Sequence, residues 1–288
     1  MEFEKRFQSE EACRDYLVKM RWPDGIQCWH CDSKELWSMR RALYLCKKCR
    51  FQTSILAGTI FQDTKKPLRL WFRAMWYITN QKSGVSALGL QRIFGFGSYR
   101  TAWKWLHKLR GAMVRPDRDR LSGIVEVDEA YIGGVRPGKR GRGAAGKELV
   151  VVAVEKSGNR IGRIRLKRVP DASSDNLNKA IQDSVESKTK VCTDGWRGYN
   201  SVNQLGYAHR VVRQEADVGE NLLPGVNLVV SLLKRWLLGT HQGAVETSHL
   251  DYYLDEFTFR FNRRTSHWRG KLFYRLMEQA VQAKPVTK

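Results

Sequence analysis

The chain reads as an α/β domain built on a mixed sheet and preceded by two smaller N-terminal modules. Three observations predict this. Residues Gly123–Gly134 alternate apolar and polar positions with β-branched enrichment and close on two glycines, which is the pattern of a strand. From there to Gly195 the pattern runs strand, strand, strand, helix, strand, an α/β order. Far upstream sit two Cys-x-x-Cys pairs, Cys28 with Cys31 and Cys46 with Cys49, outside any part of that sheet.

The composition narrows the partner. Fifty-one Lys and Arg against 29 Asp and Glu give a formal net charge of +22, and the basic residues are spread along all 288 residues. A polyanion is the expected partner, and nucleic acid is selected over a ribosomal or membrane surface only together with motifs. Met1–Glu11 is charged, and no run of eighteen apolar residues occurs, which predicts a cytoplasmic, nucleoid-associated protein with no membrane partner. In a reducing compartment paired cysteines favour metal over disulfides. Cys13 and Cys192 then read as buried thiols.

In chain order, Ser9–Trp22 reads as a short helix with Ser9 as its cap and Ala12, Tyr16, Leu17 and Met20 at helical spacing. Pro23-Asp24-Gly25 is a turn. The two Cys pairs are separated by fourteen residues, and the second follows the strand-like Ala42–Leu45. This is a zinc ribbon signature, one residue short of the usual spacing, in which Cys28, Cys31, Cys46 and Cys49 close a tetrahedral shell around one structural Zn2+. His30 lies within a knuckle as a neighbour of the ligands. Residues 1–56 form this first module.

Residues 57–118 read as helical. From Pro67, Leu68, Trp71, Phe72, Met75 and Ile78 lie on one core-facing stripe. An amphipathic segment Ser86–Phe94, the break Gly95-Phe96-Gly97 and a helix Tyr99–Met113 capped by Ser98 follow. Arg100, Lys104, His107, Lys108 and Arg110 are expected on the exposed side of that helix. Two helices about a Gly-containing turn, the second basic, make a helix-turn-helix-like reader of DNA with Arg100, Lys104 and Lys108 as contacts. An ordinary helical hairpin with a solvated charged face is the other reading.

A boundary is expected in the polar segment Val114–Arg120, so that 119–288 form the third domain. Its first strand carries Asp128 in mid-strand. A carboxylate there is costly unless paired, and a metal ion is the partner that also does chemistry, although an edge strand with an open face would tolerate it too. Val135–Lys147 is rich in Gly, Arg and Lys and reads as a basic loop, with Arg136, Lys139, Arg140 and Arg142 placed on a DNA backbone. Gly141–Lys147 fits G-x-x-x-x-G-K. Glu148 stands where a phosphate loop needs Ser or Thr, however, and a strand follows where it needs a helix, so nucleotide binding is rejected. Strands at Leu149–Glu155 and Ile161–Val169, a helix at Ser174–Ser187 and a strand ending in Asp194 complete the order. A short strand at His209–Val212 and helices at Pro224–Gly239 and from His249 onward follow.

In a ribonuclease-H-like sheet the strands of Asp128 and Asp194 are neighbours, so the two carboxylates converge. Asn227 and Lys234 are seven residues apart, nearly two helical turns, which puts both on one helix face with Ser231 between them. The segments Val127–Gly134, Thr193–Tyr199, Leu232–His241 and Tyr253–Arg264, together with the ribbon, resemble the bacterial insertion-sequence transposases of the DDE class, in the group carrying an N-terminal zinc ribbon.

The resemblance implies a ribonuclease-H-like catalytic domain in which Asp128 and Asp194 are the first two acidic residues and Lys234 the lysine after the third. It places the third member at Asn227, where the class pattern has Glu. Glu220 and Glu246 are substitutes by charge but do not share the Lys234 face. Two Mg2+ or Mn2+ ions per site are implied, roughly 3.5–4 Å apart as in two-metal phosphoryl transfer. Asp128 would bridge them, Asp194 and Asn227 would complete one site each, and Lys234 would grip a phosphate. Water would hydrolyse the phosphodiester at the element's end, and the liberated 3′-hydroxyl would attack target DNA. Partners are transposon ends and target DNA, with a homodimer or larger assembly on them. The alternative is a catalytically inactive transposase-derived DNA-binding protein. A covalent tyrosine mechanism through Tyr131 or Tyr199 lacks a clustered Arg and His constellation to activate the phenol.

Overall fold

The computed structural model describes residues 2–39, 42–115, 117–133, 146–214, 220–243 and 245–283. Two compact units result, Met1–Arg115 with Ser266–Lys288, and Pro116–Thr265.

The first unit opens with α1 (Glu2–Arg6) and α2 (Glu10–Arg21), and Ser9 Oγ accepts from Ala12 N at 3.1 Å as the expected cap of α2. The antiparallel strands β1 (Leu36–Met39), β2 (Leu43–Cys46) and β3 (Gln52–Ser54) form the ribbon. In α3 (Leu68–Asn80) the predicted stripe is the buried one, with Leu68, Trp71, Phe72, Met75 and Ile78 all in the core. Each such side chain contributes about 1.5–3 kcal/mol on burial. Pro67 offers α3 no side-chain cap, and the Glu10 carboxylate supplies one from α2 by accepting from Leu68 N at 2.7 Å and Arg69 N at 3.1 Å. Helices α4 (Ala87–Phe94) and α5 (Tyr99–Gly111) are separated by Gly95, which ends α4 in the left-handed region.

The C-terminal helix α9 (Arg269–Ala280) belongs to this unit. Phe273 lies within 6.1 Å, ring centroid to ring centroid, of Phe3, Phe7, Phe72 and Trp76. The sequence pattern keeps 119–288 together and separates 1–56 from 57–118. Apolar side chains from α1, α3 and α9 bury one another within this unit.

The second unit is a five-stranded sheet. Its strands are β4 (Ile124–Ile132), β5 (Glu148–Ser157), β6 (Arg160–Val169), β7 (Lys190–Thr193) and β8 (Ala208–Val211), in the order β6-β5-β4-β7-β8. β4, β5 and β6 pair antiparallel, whereas β7 and β8 run parallel to β4. This is the ribonuclease-H-like arrangement. The strand carrying Asp128 is therefore central, which removes the edge-strand reading of that carboxylate.

Helices cover both faces. α6 (Ser174–Ser184) packs Leu177, Ala180 and Ile181 on Val125, Val127, Val151 and Ala153. On the opposite face α7 (Pro224–His241) and α8 (Leu250–Phe261) pack Val226, Val229, Leu233, Leu254 and Phe257 on Val150, Val152, Val154 and Ile164. Burial on both faces explains why β5 is an unbroken apolar run from Leu149 to Val154. Helix α6 ends at Ser184, three residues short of the expected Ser187, where the backbone turns extended at Val185. The helical stretch expected from His249 onward is two helices, α8 and α9, which belong to different units.

Candidate active site and metal centre

The metal centre is local. Cys28 Sγ lies 3.5 Å from Cys49 Sγ and Cys31 Sγ 3.6 Å from Cys46 Sγ, and the four sulfurs fall within 4.8 Å of one another. Two knuckle amides already point at sulfur, His30 N to Cys28 and Cys49 N to Cys46, both at 3.5 Å. The Cys49 amide pulls the Cys46 thiol down to about 6, whereas Cys49, against an amide hydrogen bond from Phe51, is pushed up to about 12 by burial and the neighbouring sulfurs. Four converging sulfurs fit a closed, structural Zn2+ site. His30 takes no part; its ring stacks on Phe51 at 5.8 Å.

The carboxylates of the second unit are set by strand register. β4 and β7 pair Ile124 with Lys190, Val125 with Val191 and Glu126 with Cys192, and carrying that offset two residues further would bring Asp128 opposite Asp194, one residue past the end of β7. Side chains alternate across a strand, and Ala130, Ile132 and Cys192 lie in the core beneath α7. Glu126 and Asp128 therefore share the α7 face, and Asp194 follows directly on the β7 strand that carries Cys192 on that face. Both aspartates are half-buried and locally oriented: Asp128 Oδ1 accepts from Glu129 N at 2.8 Å, and Asp194 Oδ1 from Trp196 N at 2.9 Å. Arg213 Nη2 stands 3.9 Å from Asp194 Oδ2. Gly195 turns the chain directly after Asp194 with φ +88°, and a Cβ there would meet Val211 Cγ1 at 2.6 Å.

On α7 the exposed positions include Asn227, Ser231 and Lys234, one stripe opposite the buried Val226, Val229 and Leu233. Asn227 Nδ2 donates to Asn221 Oδ1 at 2.6 Å. Glu220 and Glu246 are exposed, and both lie off α7.

Sequence reasoning misses Glu126, the acidic residue two positions before Asp128. It is 4% exposed, its Oε2 accepts from Gly225 N at 2.7 Å and Val226 N at 3.1 Å, and its Oε1 lies 3.1 Å from Lys156 Nζ. The available signal is a second carboxylate on the same face of the same strand. Tyr199, one of the two candidate phenols, is fully buried and donates to Glu129 Oε2 at 2.8 Å. Burial and the neighbouring Glu129 charge hold its phenol protonated, well above the usual tyrosine range.

In the first unit Arg100 and Lys104 lie exposed on α5, as expected of a reading helix. Lys108 does not. Its Nζ donates to Ile60 O at 3.1 Å and Gln62 O at 3.4 Å, and burial lowers its ammonium below the usual lysine value. His107 and Arg110 are 5% and 2% exposed, so the C-terminal half of α5 is core where a basic surface was expected. Arg136, Lys139, Arg140 and Arg142 lie outside the described residues. No helix among the described residues is long and apolar enough to cross a membrane.

Residues 120–262 match the ISXO2-like transposase domain, and residues 8–52 match the transposase zinc-ribbon domain. A protein of Halobacterium salinarum, described as an uncharacterized protein in transposable element ISH50, is 26% identical over 279 residues, spanning 89% of this chain and 92% of its own. The crystal structure of a pre-cleavage Mos1 transpososome is similar over 79% of this chain and 83% of that one, at 14% identity and a TM-score of 0.29.

Proposed function

Because the chain belongs to the insertion-sequence transposases that carry an N-terminal zinc ribbon, we propose that it binds the ends of its element, hydrolyses the phosphodiester there and joins the 3′-hydroxyl to target DNA. The observation that supports this best is the parallel pairing of β4, which carries Asp128, with β7, which ends one residue before Asp194. Two half-buried carboxylates and an amide oxygen are an all-oxygen donor set, the kind that suits Mg2+ or Mn2+.

Divalent ions bound there would supply Lewis-acid activation of the attacking oxygen and charge stabilisation of the leaving one. The protein's part is placement. Asp128 reaches from the central strand and would hold a divalent ion there. Asp194 faces the same space from β7, with its second oxygen toward Arg213. Asn227 adds a neutral oxygen from the first turn of α7, and Lys234, two turns on, meets a DNA phosphate as a point charge. The exposed N-terminal half of α5, with Arg100 and Lys104, is the DNA-reading surface of the first unit. Two ends must be brought together for strand transfer, which calls for a dimer or larger assembly on DNA.

The second reading is a transposase-derived protein that binds DNA without cutting it, and the Asn at position 227 favours it. Incubating the protein with DNA that carries the element's end, with and without Mg2+, separates the two. Nicking at the end that requires metal supports the enzyme, whereas tight end binding with no nick in Mg2+ or Mn2+ selects the binding protein.

A further inference from the structure

A buried carboxylate in a central strand needs partners, and Glu126 has them at the start of α7 through Oε2 and on β5 through Oε1. α7 has no cap of its own, since Leu223 at its N-cap has no polar side chain. The first-turn amides of Gly225 and Val226 donate to Glu126 Oε2, and Lys156 on β5 balances the charge at Oε1. Gly225 is what lets the helix come this close, because a Cβ there would stand 2.7 Å from Oε2. The pin lies two residues before Asp128 on the strand and two before Asn227 on the helix.

We propose that Glu126 is a positioning residue: its carboxylate pins the first turn of α7 to β4 and so fixes Asn227 and Lys234 relative to Asp128. This rests on the reading of Asp128 and Asn227 as parts of one metal-binding site. Glu126 itself meets neither DNA nor metal, for its oxygens are occupied by the helix and by Lys156.

The test compares Glu126→Ala, Glu126→Gln, Gly225→Ala and the Glu126→Ala/Gly225→Ala double variant. Hydrogen exchange of the peptide spanning 224–230 is read on the free full-length protein, without DNA or metal. The Mg2+ dependence of end cleavage is then measured for each. Glu126→Ala should speed exchange in 224–230 by about tenfold or more with β5 and α6 unchanged. It should also raise the Mg2+ needed for half-maximal cleavage several-fold. Glu126→Gln keeps one acceptor oxygen and should fall between Ala and wild type.

Gly225→Ala is the decisive variant. Helix propensity alone predicts slower exchange on replacing Gly by Ala, whereas the pin predicts faster exchange because the new methyl expels the carboxylate. The double variant should be no worse than Glu126→Ala, since both changes break one interaction. Unchanged exchange in Glu126→Ala, slower exchange in Gly225→Ala, or faster exchange with an unaltered Mg2+ requirement would each overturn the proposal. Absence of metal-dependent cleavage in the wild type is a separate result. It would remove the enzymatic reading, and with it the positioning role, while the exchange data still decide whether the pin exists.

Discussion

Asp128 lies in the middle of β4, on the strand face that packs under α7, and Asp194 lies one residue beyond the end of β7, the parallel neighbour of β4. Replacing either by Asn removes an anionic ligand with little change of shape. Asp128→Asn and Asp194→Asn should each abolish Mg2+-dependent cleavage of end-containing DNA while leaving end affinity, measured by gel shift, within about twofold of wild type, as expected for phosphate-dominated binding. Cleavage at an undiminished rate by either variant would remove that residue from the site.

Asn227 should matter less than the aspartates, because a neutral amide binds a hard cation more weakly than a carboxylate. Asn227→Ala should slow cleavage on the order of tenfold, the scale of losing one orienting ligand. Asn227→Glu should keep activity and lower the Mg2+ concentration for half-maximal rate. A Mg2+ titration of cleavage reads both, and a wild-type curve for Asn227→Ala would redirect attention to Glu220 and Glu246.

The four converging sulfurs of Cys28, Cys31, Cys46 and Cys49 predict about one equivalent of zinc per chain. Metal analysis checks this, and less than half an equivalent with four freely titratable thiols would count against the ribbon. Chelation should unfold the β1–β3 hairpins while the β4–β8 sheet, which holds none of the ligands, stays folded. Near-ultraviolet circular dichroism and exchange mapping separate the two outcomes.

On α5 the structure divides residues that look alike in sequence. Arg100→Ala and Lys104→Ala should weaken DNA binding and reduce the slope of log affinity against log salt by about 0.9 for each phosphate that is no longer neutralised. Lys108→Ala should leave that slope unchanged and instead lower the melting temperature by roughly 2–8 °C, because its ammonium serves the Ile60 and Gln62 carbonyls. A lowered salt slope for Lys108→Ala would contradict its assignment to the core.

Asp255 on α8 offers a pH test. Burial, opposed by Arg118 and helped by Asp251, raises its carboxyl to about 6. The unfolded value is about 3.9. A folded-state value above the unfolded one means a contribution to stability that is fully present below about pH 4 and lost as pH rises through about 6. Asp255→Asn should therefore match wild type near pH 4 and exceed it by roughly 1–3 kcal/mol at pH 7. Urea unfolding at the two pH values measures the difference, and an equal difference at both would show that burial does not perturb the group.

What the sequence determined by itself were the features whose cause is local. The Cys pairs, the period-two strand around Asp128, the cap at Ser9, and the seven-residue interval from Asn227 to Lys234 all follow from neighbours a few positions apart. Even the adjacency of the strand carrying Asp128 to the strand that ends before Asp194 followed once the sheet order was assumed, because each is its own short patterned segment. Only the tertiary structure decided what depends on distant partners. A charged residue reads the same in sequence whether it faces water or a carbonyl, so the burial of Lys108, His107 and Arg110 could not be read from their helical spacing. The return of α9 to the aromatic residues of α1 and α3 follows from apolar burial between segments nearly two hundred residues or more apart, and no local pattern encodes it. Glu126 is the sharpest case. Its pattern position was visible, but its role as the cap of α7, some hundred residues on, comes from a hydrogen bond that only the packing of that helix against β4 creates.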